Sequence, residues 1–247
     1  MQIIRRIKES TILTILFAVI IGYIALTVSS ILQKATLPFI ENYFELGFYT
    51  KNSVMKFYLA GLSIITILII NKGSLSGYGF RKPESTNYLK LTLMAVGIAL
   101  GAMIVGGVVF MGILSNVFPT ENTTVFPEAN SLIERIITVW IISSISEEIL
   151  VRGLVQSFMD GLKQRKLFGL SLPVIVSGLF FGAMHLALLK AGMGHWFVGF
   201  IVFFTTSIGI LAAYYREKSN SLIPPILVHV IANIVGSLPL LVKMIMS

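Results

Sequence analysis

Seven apolar runs constrain this chain more than any other feature of its sequence. They extend over about 11–32, 57–70, 89–114, 132–150, 167–189, 196–215 and 222–246. A helix rises 1.5 Å per residue, so a run of roughly twenty residues crosses the ~30 Å hydrocarbon core of a bilayer. The sequence therefore predicts an all-α fold: a polytopic transmembrane helical bundle with about seven spans, forming one membrane domain over residues 1–247.

Composition excludes several other classes of protein. Hydrophobic residues make up 55% of the chain and charged residues 12%, and the mean hydropathy is +0.88, which is unlike a soluble domain with a polar surface. The net charge of +8 could suggest nucleic acid, but the 19 Lys and Arg are scattered over short loops, so no nucleic-acid partner is expected. The absence of cysteine excludes disulfides, thiolate metal sites and a cysteine nucleophile.

The basic residues predict how the chain is oriented in the membrane. With a cytoplasmic N-terminus, the inner segments carry Arg5, Arg6, Lys8, Lys72, Arg81, Lys82, Lys90, Lys163, Arg165, Lys166, Arg216 and Lys218. The outer segments carry only Lys34, Lys51, Lys56, Lys190 and Lys243. This bias favours a multi-pass protein of the cell membrane, such as a bacterial cytoplasmic membrane, with its N-terminus inside. The first run lacks a small-residue cleavage site and is interpreted as an anchor.

A charged stretch interrupts the fourth run. Residues 143–153 read Ser-Ser-Ile-Ser-Glu-Glu-Ile-Leu-Val-Arg-Gly, and ionised side chains persist in hydrocarbon only when they are paired, hydrated or functional. Glu148 and Arg152 are four residues apart and share a helix face, so we expect them to pair. Glu147 points about 100° away from Glu148 and is predicted to be the freer carboxylate.

Two further polar motifs lie in later runs. Phe181 and His185 are four residues apart in the fifth run, as are His229 and Asn233 in the seventh. A single buried histidine is usually a satisfied structural group, but three polar clusters on three membrane helices would each carry a separate desolvation cost. We therefore predict one shared site, although a fifth helix starting at Leu167 would place His185 ~27 Å along its axis, nearer the outer face than the other motifs.

Small-xxx-small pairs predict where helices approach one another closely. Gly97 and Gly101 form one such pair in the third run, and Gly178 and Gly182 form another in the fifth. The first pair is interpreted as generic helix packing. The second lies one turn before His185 and would bring that histidine toward a neighbouring helix.

Together the three motifs resemble a known family. Glu147-Glu148-x-x-x-Arg152, Phe181-x-x-x-His185 and His229-x-x-x-Asn233 are similar, in this order, to the motifs of the CAAX protease and bacteriocin-processing family (CPBP, Abi/CAAX prenyl protease-like). These are membrane endopeptidases that include the eukaryotic prenyl-protein protease. The resemblance covers about 131–241 and implies a catalytic core there, preceded by three spans and loops in 1–130.

The resemblance also implies roles for the motif residues. Glu147 would activate water as the general base, because a poorly solvated carboxylate is a stronger base than one in water. His185 would share the water's proton or pass it to the leaving amine, and His229 and Asn233 would donate hydrogen bonds to the oxyanion. Glu148, Arg152 and Phe181 would support these groups.

The use of a metal is left open by the motifs. Family members are commonly labelled metalloproteases, and Glu147, His185 and His229 are a plausible zinc set. However, the chain has no His-Glu-x-x-His helix that would bring two histidines to one face. We therefore favour glutamate-activated water with no cofactor, and keep zinc as the alternative.

Three functions remain after the sequence is read. The first is an intramembrane endopeptidase that cleaves a peptide or membrane-anchored protein precursor within the lipid bilayer. The second is a non-catalytic scaffold or bacteriocin-immunity protein with the same fold. The third is a proton-coupled transporter, for which buried Glu and His are also expected but which would be favoured by an inverted repeat that the sequence lacks.

Other signals are given ordinary interpretations. His195 beside Trp196 is predicted to be an interface anchor, and the loop 71–83 a simple connection. Asn122 begins an Asn-Thr-Thr triplet that a bacterial setting would leave unglycosylated. Without a Gly-x-Ser-x-Gly elbow, the serines at 143, 144 and 146 are not expected to be nucleophiles.

Overall fold

The computed structural model describes residues 2–120, 125–127 and 131–241, which are almost wholly helical. The helices are α1 (Gln2–Glu9), α2 (Thr11–Glu41), α3 (Phe48–Ile70), α4 (Tyr88–Val117), α5 (132–156), α6 (Leu172–Lys190), α7 (His195–Ser219) and α8 (Ile223–Gly236). A two-stranded antiparallel hairpin, β1 (Lys166–Leu167) and β2 (Leu170–Ser171), pairs Lys166 with Ser171. The predicted all-α membrane bundle is confirmed.

Within the described residues, five helices are long and apolar enough to cross a membrane: α2, α3, α4, α6 and α7. The other two predicted spans are helical but differ in character. Helix α5 carries five charged side chains, at 134, 135, 147, 148 and 152, and α8 is a shorter apolar helix. The count of seven spans and the cytoplasmic N-terminus stay predictions.

Several helix boundaries differ from the predicted ones. Helix α3 begins at Phe48 rather than near residue 57, and α6 begins at Leu172 rather than Leu167. The five residues before α6 belong to the hairpin, whose turn places Phe168 and Gly169 at positive φ. Ser171 caps α6, accepting a hydrogen bond from the Val174 amide. The later start shortens the axial distance to His185 to ~20 Å and reduces the mismatch in depth.

The buried helix faces consist largely of small residues. Those of α2 and α4 are Thr14, Ala18, Gly22, Ala25, Ser29, Leu91, Ala95, Ala99, Ala102 and Gly106. Large apolar side chains such as Ile12, Ile69 and Leu93 point outward and are highly exposed. Because hydrocarbon surrounds a membrane bundle, close backbone approach rather than apolar burial holds such helices together.

The two glycine pairs behave differently. A Cβ on Gly178 would lie 2.6 Å from Ile210 Cγ1, and one on Gly182 would lie 1.9 Å from the Thr206 hydroxyl oxygen. The close approach at this pair is confirmed, and its partner is α7. A Cβ on Gly97 or Gly101 meets no atom of the described residues within 4 Å, so the expected packing there was wrong.

A matched pair of substitutions tests this packing. Gly182→Ala is expected to lower the free energy of unfolding by about 1–3 kcal/mol, because the added methyl group overlaps the Thr206 hydroxyl and the Val202 carbonyl. Gly101→Ala adds the same group in open space and should leave stability within ~0.5 kcal/mol. Thermal unfolding of both purified variants in detergent measures the difference, and equal midpoints would contradict the assignment.

The loop 71–83 is more than a connection. The Gly79 carbonyl accepts a hydrogen bond from the Leu222 amide at 2.9 Å, and the Arg81 carbonyl accepts one from the Ser221 hydroxyl at 2.6 Å. Arg216 donates to both the Gly77 carbonyl and the Ser157 hydroxyl. The loop therefore ties the end of α5 to the junction of α7 and α8, and fixes the helices that carry the polar motifs.

Candidate active site

The charged stretch of α5 lies where the helix changes its winding. Ser144–Glu148 is α-helical, whereas Ile136–Ser143 before it and Ile149–Gln156 after it are π-helical. Such wide turns are rare and are frequently found at functional sites. Here they flank both glutamates, which are buried together with the whole following segment.

One carboxylate oxygen of Glu148 contacts two side chains, those of Arg152 and His229. Arg152 Nη1 lies 3.0 Å from Glu148 Oε1, and both side chains are fully buried. The pair predicted from the spacing of these residues is confirmed. The same oxygen lies 3.0 Å from His229 Nδ1 on α8, so Glu148 links two motifs rather than one. Since a carboxylate accepts, Nδ1 of His229 carries the hydrogen.

Arg152 and the ring of Phe181 form the centre of the cluster. Arg152 Nη2 donates to the Gly209 carbonyl of α7 at 2.7 Å, and its guanidinium lies 4.7 Å from the Phe181 ring centre. The same ring makes edge-to-face contacts with His185 at 5.3 Å and His229 at 5.1 Å. Phe181 thus joins the motifs of α5, α6 and α8 through one aromatic surface.

Glu147 has a partner that the sequence did not predict. Lys56 Nζ of α3 lies 2.5 Å from Glu147 Oε1, with side-chain exposures of 15% and 7%. The second oxygen, Oε2, lies 3.8 Å from His229 Nε2. Glu147 therefore has an ionic partner that was not expected, and Lys56, which was counted with an outer segment, lies within α3. A basic residue inside an apolar helix was the available signal.

Among the described residues, His185 has a hydrogen-bond partner for only one of its ring nitrogens. Its Nδ1 lies 2.8 Å from the Phe181 carbonyl, an acceptor, so Nδ1 donates and a neutral ring has its lone pair on Nε2. The Phe181 ring contacts both His185 and His229, which lies 3.8 Å from Glu147. His185 therefore belongs to the same cluster as the two glutamates, on its partly exposed side.

Asn233 is positioned one turn from His229 and contacts α5. Its Nδ2 donates to the Val139 carbonyl at 3.0 Å and to the Ser144 hydroxyl at 3.1 Å. Both amide hydrogens are therefore used by α5 in this structure. Ser144 accepts this bond as part of the helix contact, in keeping with a structural rather than nucleophilic role.

Donor geometry does not fit a zinc ion. Among the described residues, no three His, Asp or Glu side chains are arranged to hold a metal. Lys56 already places a positive charge on Glu147 Oε1, which disfavours a divalent cation at the same carboxylate. Zinc requires three protein donors about 2.0–2.2 Å from one point, and this set would have to rearrange to supply them.

A groove lies beside the cluster, between α3 and α5. It encloses about 510 Å³ and is lined mainly by apolar side chains of 40–57 and 131–142, with Glu134 on one wall. Two of its lining residues, Ser53 and Phe57, lie within one turn of Lys56 along α3. A third, Ile142, lies five residues before Glu147 on α5. The groove therefore runs along the two helices that supply the Lys56–Glu147 pair.

Two other sequence signals have simple outcomes. His195 is the first residue of α7, and the adjacent Trp196 donates its indole N–H to the Phe118 carbonyl at 2.7 Å. The glycosylation-like triplet at Asn122 lies outside the described residues.

These features define a class: a helical membrane protein with a largely buried cluster of two carboxylates, two imidazoles, an arginine and a lysine. Residues 129–235 match the family model described as type II CAAX prenyl endopeptidase Rce1-like. The resemblance to the CAAX protease and bacteriocin-processing family is confirmed by this match, and the matched segment contains all three motifs. No curated protein and no solved structure gave a match to the chain. Lys56 and helices α1 to α4 precede the matched segment.

Proposed function

We propose that this protein is an intramembrane endopeptidase that hydrolyses a peptide bond in a membrane-associated protein or peptide through glutamate-activated water. One observation carries the proposal most strongly: Glu147 Oε2 and His229 Nε2 face each other at 3.8 Å, while Glu148 orients the imidazole from its other side. The peptidase character of the Rce1-like family supports it. This arrangement provides a base beside a group that can face a substrate carbonyl.

The proposed reaction begins at Glu147. Its Oε2 takes a proton from a water molecule as the water oxygen bonds to the carbonyl carbon of the substrate, and the carbonyl electron pair moves to its oxygen. The tetrahedral intermediate then collapses, the C–N bond breaks, and the leaving amine takes a proton. His185 Nε2, with Nδ1 held by Phe181, can carry that proton from Glu147 to the amine.

The developing oxyanion needs hydrogen-bond donors. With Nδ1–H donating to Glu148, His229 can donate from Nε2 to the oxyanion only as an imidazolium. Asn233 would have to release either Val139 or Ser144 to point its amide at the substrate. We assign the first oxyanion contact to His229 and the second to Asn233 after that release.

Chelation tests the proposal that the reaction needs no metal. Incubation of the purified protein with a strong zinc chelator, followed by removal of the chelator, is expected to change the initial cleavage rate less than twofold. The reason is that Glu147 itself activates the water in the proposed reaction, and Lys56 already places a positive charge beside that carboxylate. Loss of activity that zinc alone restores would overturn this part of the mechanism.

The groove between α3 and α5 supports a substrate that lies in the bilayer. Its apolar walls suit an extended or lipid-anchored segment that enters from the membrane, and it lies along the helices that carry Lys56 and Glu147. The partners proposed are therefore the lipid bilayer and a peptide or membrane-anchored protein.

One observation favours a second function, a non-catalytic scaffold or immunity protein. The ion pair with Lys56 balances the charge of Glu147, the proposed base, and would by itself explain a carboxylate at this position as a structural group. Purified protein in liposomes separates the candidates, since an endopeptidase cleaves membrane-associated peptides and a scaffold does not. Ion-dependent uptake into the same liposomes would instead indicate a transporter.

A further inference from the structure

The contact between Lys56 and Glu147 joins a helix outside the Rce1-like segment to a helix inside it. Glu147 lies in the Rce1-like segment, whereas Lys56 lies on α3, before residue 129. Lys56 reaches into the bundle and is 15% exposed, and its Nζ contacts Glu147 Oε1. Helix α3 thus supplies a charged group directly to the cluster that α5 and α8 build.

The ion pair is asymmetric across the carboxylate. Nζ contacts Oε1, while Oε2 is left toward His229 Nε2 at 3.8 Å. A carboxylate is planar, so holding one oxygen fixes the rotation of the group and the direction in which the second oxygen points. A lysine ammonium acts as a compact point charge, unlike the broad fork of a guanidinium, which engages both oxygens of a carboxylate.

We propose that Lys56 is a positioning residue: it binds Oε1 of Glu147 and thereby aims Oε2 at the water and at the space in front of His229. This inference rests on the proposed endopeptidase function. It assigns a part in that reaction to the N-terminal helices, which carry none of the three motifs. Lys56 itself touches neither the substrate nor the transferred proton.

A second lysine on the same helix provides a matched control. Lys51 also forms an ion pair, with Glu41, but its side chain is 39% exposed and lies away from the cluster. Both residues contribute one positive charge to α3. Only Lys56 contacts a group of the proposed site.

The decisive variant keeps the charge and changes its shape. Lys56→Arg retains a cation beside Glu147, so the protein should fold and its thermal midpoint should stay within a few degrees of the wild-type value. The guanidinium engages both carboxylate oxygens, so kcat should fall at least ~10-fold with KM unchanged. Lys56→Met should lower both kcat and thermal stability, whereas Lys51→Met should leave kcat unchanged.

The experiment measures kcat, KM and thermal midpoints of the wild type and these three variants in one lipid preparation. Wild-type kcat in Lys56→Arg with normal stability would show that the pair only stabilises the fold, and would overturn the positioning role. A wild-type protein that cleaves no peptide would overturn the proposed function, and the positioning role with it. Cleavage by the wild type with a selective loss of kcat in Lys56→Arg is the expected result.

Discussion

Replacing Glu147 with glutamine is expected to lower turnover at least ~100-fold, because the amide keeps the shape of the side chain but cannot take a proton from water. The same change leaves the Lys56 ammonium without its anionic partner. The Lys56 side chain is 15% exposed and therefore not fully desolvated, so we expect a moderate loss of stability rather than unfolding.

Initial cleavage rates and thermal midpoints measured on the same preparations separate these two effects. Glu84→Gln is the matched control, since Glu84 is exposed and pairs with Arg81 outside the cluster. Its turnover should match the wild type. Near-normal turnover in Glu147→Gln would show that another group is the base.

Replacing Glu148 with glutamine is expected to have the largest effect on stability. Arg152 is fully buried and loses its ionic partner, and breaking a buried pair in this way costs about 3–5 kcal/mol. His229 also loses the carboxylate that fixes its orientation. Activity should therefore fall with the folded fraction, and further in the protein that remains folded.

Denaturant or thermal unfolding in detergent measures this loss. Glu84→Gln supplies the comparison, because the Arg81–Glu84 pair is exposed, and exposed pairs contribute at most ~1 kcal/mol. Similar stability losses in the two variants would contradict the account of Glu148 as the anchor of the cluster.

Local spacing was sufficient to predict part of this site. Glu148 and Arg152 are four residues apart, and this periodicity alone predicted their ion pair. The contact between His185 and Phe181 also follows from a separation of four residues. The apolar runs predicted the helical bundle because membrane-spanning backbone must satisfy its hydrogen bonds internally.

Contacts between distant helices could not be derived in this way. Lys56 precedes Glu147 by 91 residues, and no periodicity states which helix faces which. The link from Glu148 to His229 depends equally on how α8 packs against α5. The count of basic residues placed Lys56 in an outer segment, because it considers only whether a residue lies on the inner or the outer side of the membrane.

Two other differences have local causes that the apolar pattern conceals. Hydrophobicity continues across 167–171, although Gly169 and the positive φ of Phe168 form a turn there and delay α6. The π-helical turns around Glu147 also leave no mark in an apolar sequence.

The most direct test of the central claim is comparative proteomics of protein N-termini in membranes from cells that carry either the wild type or Glu147→Gln at equal abundance. An endopeptidase that depends on Glu147 is expected to generate one or more new N-termini in membrane-associated proteins, and these should disappear in the variant. Identical sets of N-termini in the two membranes would contradict the claim that this protein hydrolyses peptide bonds through Glu147.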